Sequence, residues 1–154
     1  MSDKTILIII LILFALIFIG MIGNAIDDHI NRKRYLNSSL SVLDHLEGEK
    51  FEKYAMAVFE SKGYKVTLTP KSHDYGADLI MLKDGKKTIV QAKRYTNKVG
   101  IAAIQQIIGA KAYYKADKCI VFTNNYYTSS AKKLANANDV KLYDRNDLKT
   151  IKKV

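Results

Sequence analysis

Apolar residues are distributed along the chain in three regimes. From Thr5 to Ala25 no side chain is charged and nearly every position is Ile, Leu, Phe, Met, Ala or Gly. In a helix, some twenty residues at about 1.5 Å each cross the roughly 30 Å hydrocarbon core of a bilayer, so residues 5–26 are expected to form a transmembrane helix. The competing reading is a cleaved secretory signal with Gly23-Asn24-Ala25 as its small-residue site. The apolar run exceeds the roughly 7–15 residues of a signal's hydrophobic region, and Met-Ser-Asp-Lys supplies little positive charge ahead of it, so an uncleaved anchor is favoured. Residues 27–41 are polar and charged and read as a juxtamembrane linker, with a break at Asn37-Ser38-Ser39.

From residue 42 to residue 154 the pattern is that of a folded domain. Val42, Leu43, Leu46, Phe51, Tyr54, Ala55, Val58 and Phe59 recur at helical spacing, with Gly48 as an interruption and Gly63 as a stop. Residues 63–69 alternate as a half-buried strand closed by Pro70, the only proline. Two apolar runs, residues 77–82 and 88–93, flank the turn Lys83-Asp84-Gly85-Lys86-Lys87 and read as a hairpin. Ile101, Ile104, Ile107, Ile108 and Ala112 mark a helix over 99–114. Residues 118–123 form a continuous apolar strand suited to burial on both faces. Thr128 caps a helix reaching Asn138, residues 140–143 form a last strand, and 144–153 a terminal helix. A hairpin followed by helical crossovers gives a mixed central sheet flanked by helices, an α/β domain preceded by one transmembrane helix.

Charge and cysteine content narrow the partners. The chain carries a formal net charge of +10. From Asp44 to Val154 there are 21 Lys or Arg against 12 Asp or Glu, so the excess lies on the folded domain and suits a polyanion such as DNA. Arg32, Lys33 and Arg34 follow the apolar run while only Lys4 precedes it, which places the C-terminal domain in the cytoplasm of a single-pass protein of the cell membrane. The same basic cluster can touch anionic lipid headgroups. Cys119, the only cysteine, excludes an intramolecular disulfide and a multi-thiolate zinc site, and its apolar neighbours make it a buried small hydrophobe.

Chemically capable side chains converge on the hairpin. Gln91 and Lys93 are two residues apart on one strand and therefore share a face, and Asp78 opens the facing strand. Phosphodiester hydrolysis needs a hard cation, and Mg²⁺ takes about six oxygen ligands of which one or two are commonly protein carboxylates. Asp78 can supply the carboxylate, Gln91 its amide oxygen and Ala92 its backbone carbonyl. Lys93 can orient the attacking water and offset developing negative charge. Glu52 reaches the same cation through water if the long helix packs across the strand ends.

The order of these residues resembles the PD-(D/E)xK nuclease superfamily, and more fully its Mrr-like restriction endonuclease branch. The matching words are Phe51-Glu52, Gly63-Tyr64-Lys65-Val66, Asp74-Tyr75-Gly76-Ala77-Asp78-Leu79-Ile80 and Val90-Gln91-Ala92-Lys93-Arg94-Tyr95. They continue with Val99-Gly100, Gln105 with Gly109-Ala110, and Val121-Phe122-Thr123-Asn124. The resemblance implies a metal-dependent endonuclease core with a mixed four-stranded sheet. It implies catalytic roles for Asp78, Gln91 and Lys93, an acidic first-helix position at Glu52, a site-proximal glutamine at Gln105, and Mg²⁺ or Mn²⁺ as cofactor. Ala77 stands where the superfamily has proline, and Gln91 where many of its members carry Glu or Asp, a substitution that looks normal for the Mrr-like branch. The second departure removes a ligand charge.

The expected function is therefore a membrane-anchored, Mg-dependent type IV-like DNA endonuclease that restricts foreign or modified DNA. Lys71, His73, Arg94, Lys98, Lys132 and Lys133 are candidates for DNA contact, with His73 more readily read as an exposed loop residue. Two alternatives stand beside it: a Holliday-junction-type structure-selective nuclease, an activity that usually needs a homodimer, and a non-catalytic DNA-binding module tethered to the membrane.

Overall fold

The computed structural model describes residues 3–70 and 75–151, and the chain divides into two units, Met1–Arg34 and Tyr35–Val154. The described residues of the first lie within one helix, α1 (Asp3–Leu36), which includes the apolar stretch Lys4–Gly23, long and apolar enough to cross a membrane. The helix does not end with the apolar run. Between Asn24 and Leu36 there is no Gly or Pro to stop it, so much of the expected linker is helical, and the break falls at Asn37-Ser38-Ser39 as the sequence indicates. Ser39 then caps a short α2 (Leu40–Asp44), accepting from the Val42 N–H at 3.3 Å.

The second unit continues with α3 (Gly48–Ser61), β1 (Lys65–Leu68), β2 (Leu79–Lys83), β3 (Lys86–Lys93), α4 (Ile101–Tyr114), β4 (Lys118–Thr123), α5 (Ser129–Ala137), β5 (Val140–Tyr143) and α6 (Arg145–Ile151). The hairpin β2–β3 turns through Asp84 and Gly85, both at positive φ (51° and 73°), the primed turn whose twist matches the flanking strands. Strand order is β1-β2-β3-β4-β5; the first three strands are antiparallel, and β3, β4 and β5 run parallel. The sheet thus has five strands rather than the four that the resemblance implied, because Val140–Tyr143 pairs with β4 and extends it.

Two cores lie on the two faces of this sheet. Phe51, Tyr54 and Phe59 of α3 pack against Leu79, Val90 and Phe122, and the rings of Phe51 and Phe59 each lie 5.6 Å from that of Phe122. On the other face Ala103, Ile104 and Ile107 of α4, with Ala131 and Ala135 of α5, cover Ile89, Cys119 and Val121. Cys119 is buried, and burial pushes its thiol pKa up, so it behaves as the small hydrophobe its neighbours suggested. Period-two alternation along β3 consequently sends Val90 toward α3, and Ile89, Gln91 and Lys93 toward α4.

Candidate active site

Asp78 is fixed at the mouth of the hairpin. Its N–H donates to the Val90 carbonyl at 2.8 Å, its carbonyl accepts from the Thr69 N–H at 3.0 Å, and the Thr69 hydroxyl holds the preceding Ala77 carbonyl at 2.7 Å. The next N–H on the β2 edge of β3, that of Ala92, donates to Asp78 Oδ2 at 2.7 Å. A side chain therefore closes the ladder where a backbone carbonyl would otherwise stand. In an extended strand the N–H and C=O of one residue lie on the same edge, so the Ala92 carbonyl shares the β2 edge with the Asp78 carboxylate.

Gln91 is 2% exposed, which makes it one of few buried polar side chains in the sheet. Its amide has one orientation compatible with its neighbours. The nitrogen donates to the Ala103 carbonyl at 2.7 Å and the oxygen accepts from Lys93 Nζ at 3.1 Å. The reverse orientation would set two oxygens against each other on one side and an NH₂ against an ammonium on the other. The side-chain amide of Gln106 lies 2.8 Å away; it accepts from Gln91 in the reverse orientation, and it matches the Gln91 oxygen in the favoured one when its own amide is turned to present NH₂. An oxygen that accepts from both Lys93 and Gln106 has no lone-pair direction left for a cation unless one donor turns aside.

The helix facing the strand brings a different glutamine from the one expected. Gln105 and Gln106 are both exposed on α4, but it is Gln106, three residues after the buried Ala103, whose amide reaches Gln91. Ile101 and Ala112, expected on the core face, are exposed, and the buried stripe is Ala103, Ile104, Ile107 and Ala110. Gln106 also supports the loop that leads to Asp78. Gly76 sits at φ +89°, and a Cβ there would lie 3.0 Å from the Gln106 carbonyl oxygen. Beside it the exposed ring of Tyr75 stacks on Tyr113, with centroids 3.9 Å apart.

Other candidates are more scattered. Glu52 is half-buried on α3, the helix of the opposite layer from Gln91 and Lys93. Lys71 and His73 lie outside the described residues. Arg94 is half-buried, and its Nε is enclosed with no hydrogen-bond partner among the described residues. Lys98, Lys132 and Lys133 are exposed, and the bridge between Val99 and Tyr127 sets Lys98 beside the start of the helix bearing the other two.

At the same end of the sheet, Thr123 Oγ1 donates to the Lys93 carbonyl at 2.6 Å and the Tyr95 N–H donates to Asn124 Oδ1 at 2.9 Å. Arg145 grips Asp44 with two bonds of 2.6 and 2.8 Å, and Asn124 Nδ2 reaches the same carboxylate at 2.9 Å. Asp44, Tyr95, Asn124 and Arg145, with Thr96, Asn125 and Tyr126, line a cleft of about 320 Å³ that none of the proposed catalytic side chains enters. Its polar groups are engaged with one another, so it reads as structural support for the strand ends.

Among the described residues no group of three His, Cys, Asp or Glu could hold a metal. The oxygen donors at the hairpin are one carboxylate, Asp78, and one backbone carbonyl, Ala92, with the Gln91 oxygen engaged elsewhere. That set fits Mg²⁺, which keeps several waters and relies on phosphate oxygens, and does not fit an ion that needs a full protein cage.

A family profile described as "Restriction endonuclease" (Mrr_cat) matches residues 43–151. The uncharacterized protein y4cE of Sinorhizobium fredii (strain NBRC 101917 / NGR234) is 34% identical over 104 residues, covering 64% of this chain and 27% of that protein. The chain thus spans about a quarter of that relative's length. Among solved structures, the DNA modification-dependent restriction endonuclease AspBHI aligns with a TM-score of 0.56 at 19% identity, over 80% of this chain and 33% of that one. Can2 from Sulfobacillus thermosulfidooxidans, in complex with cyclic tetra-adenylate, aligns with a TM-score of 0.51 at 17% identity, over 70% and 36% of the two chains. At these identities the structural likeness is one of fold.

Proposed function

Since this chain belongs to the Mrr-type restriction endonuclease family, we propose that it hydrolyses DNA phosphodiester bonds at the β2–β3 hairpin, acting on foreign or modified DNA from the cytoplasmic face of a membrane. The observation that carries this reading is the convergence of Asp78, tied to the Ala92 N–H, with Gln91 and Lys93 on the adjoining strand. A carboxylate, a carbonyl and an ammonium then border one strand end.

Each group has a task suited to its chemistry. Asp78 and the Ala92 carbonyl would hold Mg²⁺ or Mn²⁺, which when bound supplies Lewis-acid polarisation of the phosphate and a more acidic water. The Lys93 ammonium donates toward charge that builds on the phosphoryl oxygens and holds the attacking water in line. Arg94, Lys98, Lys132 and Lys133 contact backbone phosphates, as Lys71 and His73 would, and such contacts place a duplex without reading its sequence. Residues 5–26 serve as the anchor and the nuclease domain begins near residue 42. The cluster Arg32, Lys33 and Arg34 supports the cytoplasmic orientation.

The full chain in detergent micelles, incubated with methylated, unmethylated and four-way-junction DNA with Mg²⁺, Mn²⁺ or chelator, tests the proposal. Metal-dependent cutting of linear modified DNA is the expected result. Cutting confined to junctions favours the structure-selective alternative, and salt-sensitive binding without cutting favours the tether.

A further inference from the structure

Gln106 is joined to both halves of the site. Its side-chain amide meets that of Gln91 at 2.8 Å, and its backbone carbonyl lies 3.0 Å from the Cβ that Gly76 lacks, in the loop that leads into Asp78. Gln91 has a forced amide orientation because Ala103 offers only a carbonyl acceptor and Lys93 only an ammonium donor. That orientation turns the Gln91 oxygen to Lys93 and requires Gln106 to turn its own amide and present NH₂, as a second donor, to the same oxygen. The oxygen is thereby occupied at 2% exposure, without recourse to a cation.

We propose that Gln106 is a positioning residue: with the Ala103 carbonyl it locks the Gln91 amide so that its oxygen anchors Lys93, and Gln91 acts on Lys93 rather than as a metal ligand. This rests on the nuclease reading above for its catalytic consequence, but the hydrogen-bond network itself does not. A neutral amide suits the task. A carboxylate at residue 91 would hold Lys93 by charge and repel the Ala103 carbonyl, whereas the amide satisfies both neighbours at once. Gln91 thus has a local reason in its partners.

The test uses the full chain in detergent micelles with Gln106→Leu, which keeps the side chain's bulk and removes its donor, and Gln106→Glu, which replaces the donor by an acceptor. Side-chain ¹H–¹⁵N spectra report on the Gln91 NH₂ directly, with Gln91→Leu identifying its signals. The proposal expects both Gln106 variants to shift the Gln91 signals. It also expects them to lower kcat by about 10- to 100-fold, the usual loss when an orienting partner is removed, with KM and the Mg²⁺ concentration for half-maximal rate unchanged. Unaltered Gln91 signals in both variants overturn the proposal. So does a raised Mg²⁺ requirement with kcat restored at saturating metal, because that is the behaviour of a disturbed metal ligand. If the wild-type chain cuts no DNA, the nuclease reading fails while the spectra still decide the role of Gln106.

Discussion

At the scale of single residues, the loop before Asp78 is held by a close approach that only glycine permits. Gly76→Ala would place a methyl against the Gln106 carbonyl and force a side chain into positive φ. The expected cost is about 1–3 kcal/mol, measured as a drop in the midpoint of denaturant unfolding, with cleavage falling as the Asp78 loop shifts. The residues of the hairpin were legible in the sequence because strand periodicity is strict: two residues apart means one face, and Gln91 and Lys93 do meet at 3.1 Å. Helix phase is less forgiving. Gln105 rests on the family resemblance alone, and the five isoleucine and alanine positions read as one stripe include Ile101 and Ala112, both of which are exposed. The buried stripe runs through small Ala103 and Ala110 instead, and it brings Gln106 to the strand. Small residues at the close contact carry little hydrophobic signal, although they are what lets a helix approach a strand.

Elements are held at the strand ends by polar clasps that no periodicity reveals. Asp44 and Arg145 are 101 residues apart in sequence, yet they join the end of α2 to the start of α6 through a two-bond contact. The Arg145 guanidinium holds the Asp44 carboxyl below the usual carboxylate range, against a smaller opposing effect of burial. A depressed folded-state pKa means that this contribution is present above the carboxylate's unfolded pKa near 4 and is lost as pH falls through the lower folded value. Side chains that are 27% and 31% exposed are partly screened, so Arg145→Ala should cost only about 0.5–1 kcal/mol at neutral pH. Thermal denaturation from pH 7 to pH 3 should show the wild-type advantage over Asp44→Asn shrinking at the acid end. The cap of α5 offers a simpler case, since Thr128 Oγ1 accepts from the Ala131 N–H at 3.2 Å. Thr128→Ala should lower stability by about 1 kcal/mol in the same assay, and Thr128→Ser should restore most of it. That cap was readable because Thr before a helical pattern has a local mechanism. The helical continuation to Leu36 was not, because polar residues are permitted in a helix and mark no end by themselves.

For the molecule as a whole, the excess of basic residues in the folded unit and one apolar helix describe a nuclease-family domain suited to a polyanion and, by our proposal, tied to a bilayer. DNA affinity of the full chain should fall steeply with salt, and Lys132→Gln with Lys133→Gln should flatten the log–log slope by about 1–2 if both contact phosphates. Removing residues 1–26 should move the protein from membrane to soluble fractions while leaving cleavage in solution intact. The central claim, that chemistry occurs at the hairpin, is tested most directly by single-turnover cleavage with saturating Mg²⁺, comparing wild type with Lys93→Ala at equal DNA occupancy. The account predicts a loss of about a hundredfold or more with DNA binding preserved, as expected on removal of a group that stabilises developing charge. Equal rates for the two proteins would contradict it and place the chemistry elsewhere in the chain.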